Sequence, residues 1–311
     1  MYYPLLRARQ FELIALRELA MEGRTQDTVL PILEPVKKSH NNFDLAYKVF
    51  RETNQRVFVI ANPTVGEMNG DHSYYADYIS SLDQSVFMPA FHFRNNSTYI
   101  SDLIDKYAFN NCLLLCQNDV SSDDSGLEQL LSMDAVTSVV VEDPGRNRSL
   151  DRFIRRFGKA YIRLDDLFEK QARNKDFLEI ENHRFSEEHL YFDEENFDGF
   201  SDFTILPSEY AEGGSTPRAV VIHLTYLNEK DQIWIRHFTS DTNDSIANIQ
   251  GKFAEAAEKA VSYCRSHGLN NSAIKELEEF YDEQHYPGLG TVKKLSIKNH
   301  LLIVSQYLRR K

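Results

Sequence analysis

The sequence predicts an α/β protein built as a (β/α)8, TIM-barrel-like fold, with an added antiparallel hairpin and C-terminal helices. Two observations favour this fold: short apolar runs recur along the first half of the chain, and stretches with helical periodicity separate them. Parallel strands need crossover connections of a dozen or more residues, which this spacing supplies. The runs are Tyr2–Leu6, Val29–Glu34, Val57–Asn62, Val86–His92, Cys112–Gln117, Ser138–Asp143 and Ala160–Asp165. Seven or eight such units fit a closed barrel of roughly 250 residues better than a short open sheet.

Helices are predicted in the segments between these runs. The first, from about Arg9 to Glu22, has apolar residues near the 3.6-residue period and ends before Gly23. Four shorter helices follow, at about 43–52, 74–82, 98–107 and 126–133. In the sixth, Leu150 to Phe157 forms an apolar stripe that we expect in the core, with arginines on the opposite face.

The repeat fails after Asp166. Residues 167–200 are acidic, contain many aromatic side chains and have no clean period, so we expect packed irregular structure with short helices there. Phe203–Leu206 is the predicted eighth strand. The remainder is predicted to be helical at 246–267, 272–284 and 291–310. This divides the chain into a barrel core, 1–210, and an extension, 211–311, packed together as one compact unit.

Two β-rich runs in the extension, Ala219–Tyr226 and Gln232–Phe238, predict an antiparallel hairpin outside the barrel. With a two- or four-residue loop, His223 would lie opposite Arg236. A three-residue loop centred on Lys230 would instead bring His223 opposite His237, so the register decides whether a histidine pair exists.

The composition, with 42% hydrophobic and 26% charged residues, is that of an ordinary globular protein. No run approaches the roughly 18 apolar residues of a membrane span, and we expect a cytoplasmic protein. The cysteines Cys112, Cys116 and Cys264 are too few for a zinc site and are expected to be buried free thiols.

Charge is distributed unevenly along the chain, whose net charge is −12. Residues 176–212 hold 12 acidic side chains and one basic side chain, whereas residues 146–163 hold seven basic side chains and one acidic. The two blocks could face each other within the fold, the acidic block could meet a basic partner protein, or the Arg-rich helix could meet phosphates. The net negative charge disfavours bulk nucleic-acid binding. The predicted partner-binding residues are Glu187, Glu188, Glu194 and Glu195.

The strand ends carry polar residues, and the working residues of such barrels lie at these ends. Carboxylates, amides and a histidine around one mouth could hold Mg²⁺ or provide acid and base groups. The candidate catalytic residues are Glu34, His92, Glu142 and Asp165, and the candidate substrate-binding residues are Asn62, Gln117 and Arg163. Only one residue of each adjacent pair, Glu142 with Asp143 and Asp165 with Asp166, can face the lumen. The alternative is that these residues form caps and ion pairs in loops.

Two groups of motifs resemble those of a known family. Tyr3-Pro4-Leu5-Leu6-Arg7 and Pro31-Ile32-Leu33-Glu34-Pro35 are similar to the N-terminal signature of the phage and bacterial "beta protein" family. Phe200–Thr204, Ile222–Tyr226 and Ile235–Phe238 resemble a bacterial branch of it, often encoded beside a second small protein in mobile or defence-associated neighbourhoods. The resemblance implies a barrel-like fold and a partner. It offers no established reaction, so it identifies no catalytic residues, and Arg9 stands where relatives more often have Lys.

Two hypotheses follow. The first is a bacterial barrel protein that acts with a protein partner, in anti-phage defence or in a toxin–antitoxin arrangement. The second is a metal-assisted hydrolase or phosphodiesterase with its site at the mouth of the barrel. A mouth filled by its own side chains favours the first hypothesis, and an open acidic pocket favours the second.

Overall fold

A computed structural model describes residues 1–68, 73–117, 120–213 and 216–311. The strands are β1 Leu5–Leu6, β2 Ile32–Leu33, β3 Val57–Ile60, β4 Phe87–Phe93, β5 Cys112–Cys116, β6 Val136–Glu142, β7 Ala160–Leu164, β8 Asn182–Ser186, β9 Gly199–Ser201, β10 Val221–Leu227 and β11 Ile233–Thr239. The helices are α1 Gln10–Met21, α2 Asn41–Thr53, α3 Tyr74–Ser80, α4 Ser97–Tyr107, α5 Ser125–Ser132, α6 Arg148–Ile154, α7 Glu188–Tyr191, α8 Ile249–His267, α9 Ser272–Asp282 and α10 Leu289–Leu308.

Eight parallel strands form the main sheet, in the order β1-β2-β3-β4-β5-β6-β7-β9. A parallel bridge between Tyr2 and Phe200 joins its two ends. The backbone N–H of Leu5 also donates to the carbonyl oxygen of Asp202 at 2.9 Å. The predicted (β/α)8 barrel is therefore confirmed, with the hairpin outside its strand order.

The prediction of the last barrel strand was wrong by a few residues. Strand β9 ends at Ser201, before the predicted Phe203–Leu206 run. The side chain of Asp202 accepts a hydrogen bond from the N–H of Thr204, which has a positive φ of 57°, and this turn ends the strand. Phe203 instead closes the interior of the barrel as part of its core.

A second sheet of three antiparallel strands has the order β10-β11-β8. The predicted hairpin supplies β10 and β11. The third strand, β8, lies in the acidic segment for which irregular structure was predicted, and that prediction was wrong here. It contributes the residues Asn182 to Ser186, whose polar and apolar side chains do not alternate.

The C-terminal helices bind the two sheets together. Helix α10 packs against α1 and β10, and its Ile297, Leu301 and Val304 are fully buried in the same core as the barrel helices. Helix α8 packs on the second sheet, and α9 packs on α8 and α10, around a separate apolar core. Among the described residues no helix is long and apolar enough to cross a membrane. The three cysteines are buried free thiols, as predicted.

Candidate functional site

A layer of polar side chains lies at the C-terminal mouth of the barrel, and we call it the mouth layer. Alternate residues of each barrel strand face the interior. The interior core contains Leu5, Ile32, Ile60, Ala90, Leu115, Val140 and Leu164. The residues two positions later are Arg7, Glu34, Asn62, His92, Gln117, Glu142 and Asp166. Five of the site residues predicted from the sequence therefore share one layer.

Glu34 is the most tightly held member of the mouth layer, with no exposed surface. One carboxylate oxygen accepts from the backbone N–H of Thr64 at 2.9 Å and from Nε2 of His92 at 2.9 Å, and the other pairs with the guanidinium of Arg7. Burial alone would raise the pKa of Glu34, but the charge and hydrogen bond of His92, the charge of Arg7 and the N–H of Thr64 outweigh burial and lower that pKa to about 2. Glu34 is therefore a buried, saturated carboxylate.

His92 is held from both its backbone and its ring. The side-chain amide of Asn62 donates to the carbonyl oxygen of His92 at 2.9 Å and accepts from its N–H at 2.8 Å. Because Glu34 accepts at Nε2, that ring nitrogen carries a hydrogen. Nδ1 of His92 is buried and has no hydrogen-bond partner among the described residues. An imidazole oriented by a carboxylate at one nitrogen, with the other nitrogen unpaired, has the hydrogen-bond pattern of a general base, but Nδ1 of His92 is closed to solvent in this structure.

Glu142 belongs to a separate part of the mouth layer. Its carboxylate accepts from the side-chain amide of Gln117 at 3.2 Å, and Gln117 accepts in turn from Arg94 at 3.1 Å. Burial raises the pKa of Glu142, and the nearby Asp166 adds to this effect although the hydrogen bond from Gln117 opposes it. Glu142 is half-buried, so it is the acidic group of this layer that is best placed to exchange a proton with solvent or substrate.

The structure does not bring Arg163 and Asp165 into the mouth layer. Their neighbours in the alternation, Ile162 and Leu164, face the interior, so Arg163 and Asp165 lie on the outer side of the barrel. There the guanidinium of Arg163 pairs with Asp165 at 2.7 Å. Asp166 takes the lumen side instead, where it accepts a hydrogen bond from Ser208.

The acidic segment is largely neutralised within the chain. Arg163 pairs with Glu188 at 3.0 Å and with Glu195 at 2.8 Å, and Arg155 donates to the carbonyl oxygens of Glu195 and Asn196. The further ion pairs of the segment are Asp176 with Arg173, Glu181 with Arg236, Glu187 with Arg184, Asp193 with Lys311 and Glu209 with Lys170. The expectation that the acidic and basic blocks face each other holds for Arg155 and Arg163. Of the four predicted partner-binding glutamates, only Glu194 has no ion pair among the described residues.

An open cleft of about 380 Å³ lies beside α6, and we call it the basic cleft. Its charged lining residues are Arg148, Arg152, Arg155 and Arg163, with the carboxylates of Asp151 and Glu195. Arg148 and Arg152 are exposed and one turn apart, and within the described ranges neither has an ion pair or a hydrogen bond. Arg155 lies beside them, with its guanidinium 4.7 Å from the ring centre of Phe197. The apolar face of α6 is buried as predicted, so its charged face is left toward solvent.

The residues that the structure describes contain no group of three or more His, Cys, Asp or Glu side chains that could hold a metal ion. Mg²⁺ binding at the mouth layer stays a prediction from the sequence. A comparison with models of known protein families finds no match, and neither does a comparison with curated protein sequences.

Proposed function

We propose that this protein acts by binding an acidic partner protein through the basic cleft. The resemblance to the "beta protein" family supplies the setting of the proposal: a bacterial, cytoplasmic protein encoded beside its partner, in anti-phage defence or in a toxin–antitoxin arrangement. The observation that carries it is the uncompensated charge of Arg148 and Arg152. In a chain whose acidic segment is mostly paired, these arginines keep their full hydrogen-bonding capacity.

The chemistry of the cleft supports a protein carboxylate as the bound group. A guanidinium can bind a carboxylate through two parallel hydrogen bonds, and arginine is enriched in protein interfaces. Phe197 and Pro144 add apolar wall next to the arginines. A long nucleic acid would extend beyond the basic cleft and would be repelled by the rest of the chain, whose net charge is −12. An acidic loop or helix is short enough to contact the basic cleft and no other face.

The state of the mouth layer also favours a binding role. Glu34, His92 and Asn62 are 0%, 2% and 4% exposed, and they bond mainly to each other and to neighbouring protein groups. A mouth closed in this way leaves few groups for a substrate on that side. The acidic segment is a weaker candidate interface, because a partner would have to compete with its internal ion pairs.

Reversing the charge of the cleft should remove the partner. We expect the double variant Arg148→Glu, Arg152→Glu to retain less than a tenth of the protein that copurifies with the wild-type chain from the native host, measured by quantitative mass spectrometry. The matched control is Lys175→Glu, Lys275→Glu, which makes the same charge change at exposed lysines outside the cleft. Equal retention by the double variant and the wild type, or equal loss in the control, would contradict the proposal. So would recovery of nucleic acid in place of protein.

A second candidate function rests on the unpaired Nδ1 of His92 and the raised pKa of Glu142. These groups could act as base and acid in the hydrolysis of a phosphodiester, with Glu34 orienting the imidazole. Since the described mouth residues do not gather a metal-ligand set, we derive no step through a metal.

The variant Glu142→Gln tests this second candidate. We expect it to abolish any hydrolysis of bis(4-nitrophenyl) phosphate, assayed with and without Mg²⁺. Its stability should change little, because Glu142 is half-buried and accepts one side-chain hydrogen bond. Glu128→Gln, at an exposed position of α5, is the control. Wild-type turnover no higher than that of Glu142→Gln would remove the enzyme hypothesis.

A further inference from the structure

Three histidines form a hydrogen-bonded chain in the second sheet. His183 on β8 and His237 on β11 approach each other through their Nε2 atoms at 3.2 Å. His237 and His223 on β10 approach through their Nδ1 atoms at 2.6 Å. His223 is paired with His237 in the register, the arrangement expected for a loop centred on Lys230. None of the three belongs to the mouth layer or the basic cleft.

The contacts of His183, at the outer end of the three-histidine chain, determine which nitrogen of each imidazole carries the hydrogen. Nδ1 of His183 lies 3.2 Å from the carbonyl oxygen of Arg184 and 3.6 Å from a carboxylate oxygen of Glu169. Both oxygens only accept, so Nδ1 of His183 carries a hydrogen. In the neutral imidazole of His183, Nε2 is then the acceptor and receives the hydrogen bond from Nε2–H of His237. Nδ1 of neutral His237 then accepts from Nδ1–H of His223. The remaining nitrogen, Nε2 of His223, is left as a bare acceptor.

Burial keeps the inner two imidazoles neutral, as this assignment requires. Burial lowers the pKa of His223 to about 3. Burial and the two neighbouring histidines lower the pKa of His237 to about 2. At neutral pH each therefore has one hydrogen and one lone pair to share along the chain.

His223 forms part of the wall of a cavity of about 350 Å³, a volume within the usual range of small-molecule sites. In the part of the chain that the structure describes, the His223 ring makes one hydrogen bond, through Nδ1 to His237, and none through Nε2. The ring of Phe177 lies 4.8 Å from the imidazole centre and that of Phe168 lies 5.4 Å from it, both edge to face. Val221, Leu289 and Val292 continue the apolar wall.

The cavity wall carries little uncompensated charge. Its two lysines, Lys170 and Lys293, pair with Glu209 and Glu12 respectively. An ion would therefore gain no free counter-charge here, whereas a neutral molecule with an aromatic body would gain apolar contact.

We propose that this cavity binds a small, neutral, mostly aromatic molecule whose single O–H or N–H group donates to Nε2 of His223. The three-histidine chain determines which group the site accepts. It leaves the lone pair of His223 Nε2 free for a donor in the cavity, because the hydrogen of His223 is on Nδ1. The site shares no residue with the basic cleft, so the two proposals succeed or fail separately.

Two probes that differ only in the donor test this proposal. We expect 2-naphthol to bind the full-length protein about tenfold more tightly than 2-methoxynaphthalene in isothermal titration calorimetry, which is the typical effect of one neutral hydrogen bond. In His223→Leu this preference should disappear. In His183→Leu it should also fall, although His183 does not line the cavity, since the tautomer of His237 is no longer fixed. His267→Leu, on the exposed surface of α8, should keep the preference.

The ring nitrogens of the wild-type protein provide a second measurement that does not depend on variants. In ¹⁵N NMR, we expect Nε2 of His223 to have the shift of an unprotonated nitrogen. A protonated Nε2 there, equal affinity of the wild type for both probes, or binding of neither probe would overturn the proposal.

Discussion

Replacing Glu34 by alanine is expected to lower the free energy of unfolding by about 3–5 kcal/mol, the usual effect of removing one partner from a buried ion pair. Glu34 is completely buried and joins Arg7, His92 and Thr64 at one point. Its removal leaves the Arg7 guanidinium without its carboxylate and the imidazole N–H without its acceptor. Urea unfolding followed by circular dichroism measures the change. Glu128→Ala, at an exposed helical position, serves as the control and should leave the midpoint nearly unchanged.

The same carboxylate makes stability depend on pH. Its pKa of about 2 in the folded protein lies below the ordinary value of 4.5, so the unfolded chain takes up this proton first as the pH falls. The stabilisation is complete above pH 4.5 and is lost as the pH falls through about 2. A shift of this size corresponds to about 3 kcal/mol. Glu34→Ala should therefore have a flatter stability profile in this range, and an unchanged acid transition would mean that the network contributes little.

The mouth layer shows which features of the site the sequence could predict. Strand residues alternate between two faces, and working groups lie at the carboxyl ends of parallel strands, so Glu34 and His92 could be expected in one layer from the sequence, with either Glu142 or Asp143. The choice between Asp165 and Asp166 could not be made in the same way. It depends on which residues of strand β7 face the barrel interior, and on the ion pair between Asp165 and Arg163 on the outer side.

The missed strands show the limit of local sequence patterns. Strand β9 has the sequence Gly-Phe-Ser and β8 the sequence Asn-His-Arg-Phe-Ser, so neither contains the apolar run that marked the other barrel strands. Strand β8 forms by pairing with the edge of β11, which lies about 50 positions later in the chain. In this pairing Ile235 lies opposite His183. Pairing over such a distance is a tertiary effect that propensity does not contain.

The charge blocks were visible in the sequence, but their partners were not. Glu188 and Glu195 pair with Arg163 of the basic block, whereas Asp193 pairs with Lys311 at the end of the chain. The arginines left over, Arg148 and Arg152, could be identified only after these pairs were known. For this reason the proposed interface is the basic cleft, although the partner-binding residues predicted from the sequence lie in the acidic segment.

Removing helix α10 is expected to prevent the barrel from folding. A chain ending at Gly288 loses the buried side chains of Ile297, Leu301, Ile303 and Val304, which pack in the barrel core. Burial of one such side chain contributes about 2 kcal/mol, so the loss is about 8 kcal/mol. Whole domains of this kind are stable by only about 5–15 kcal/mol.

The lost helix also holds charged groups that α1 needs. Lys298 pairs with Glu18 at 3.0 Å and with Glu22 at 2.7 Å, and Lys294 pairs with Glu18 at 2.9 Å. Without these lysines, the exposed face of α1 would combine apolar side chains with unpaired carboxylates. The expectation that residues 211–311 form one compact unit with the barrel therefore has a direct test.

The truncated chain should lack a cooperative thermal transition and should bind a hydrophobic dye, as expected when core packing is lost. Its control ends at Leu308 and removes only Arg309, Arg310 and Lys311, whose contacts are at the surface. We expect this shorter deletion to unfold cooperatively near the wild-type temperature. If the chain that ends at Gly288 also unfolded in a sharp transition, residues 1–288 would fold without α10, and the expectation would be wrong.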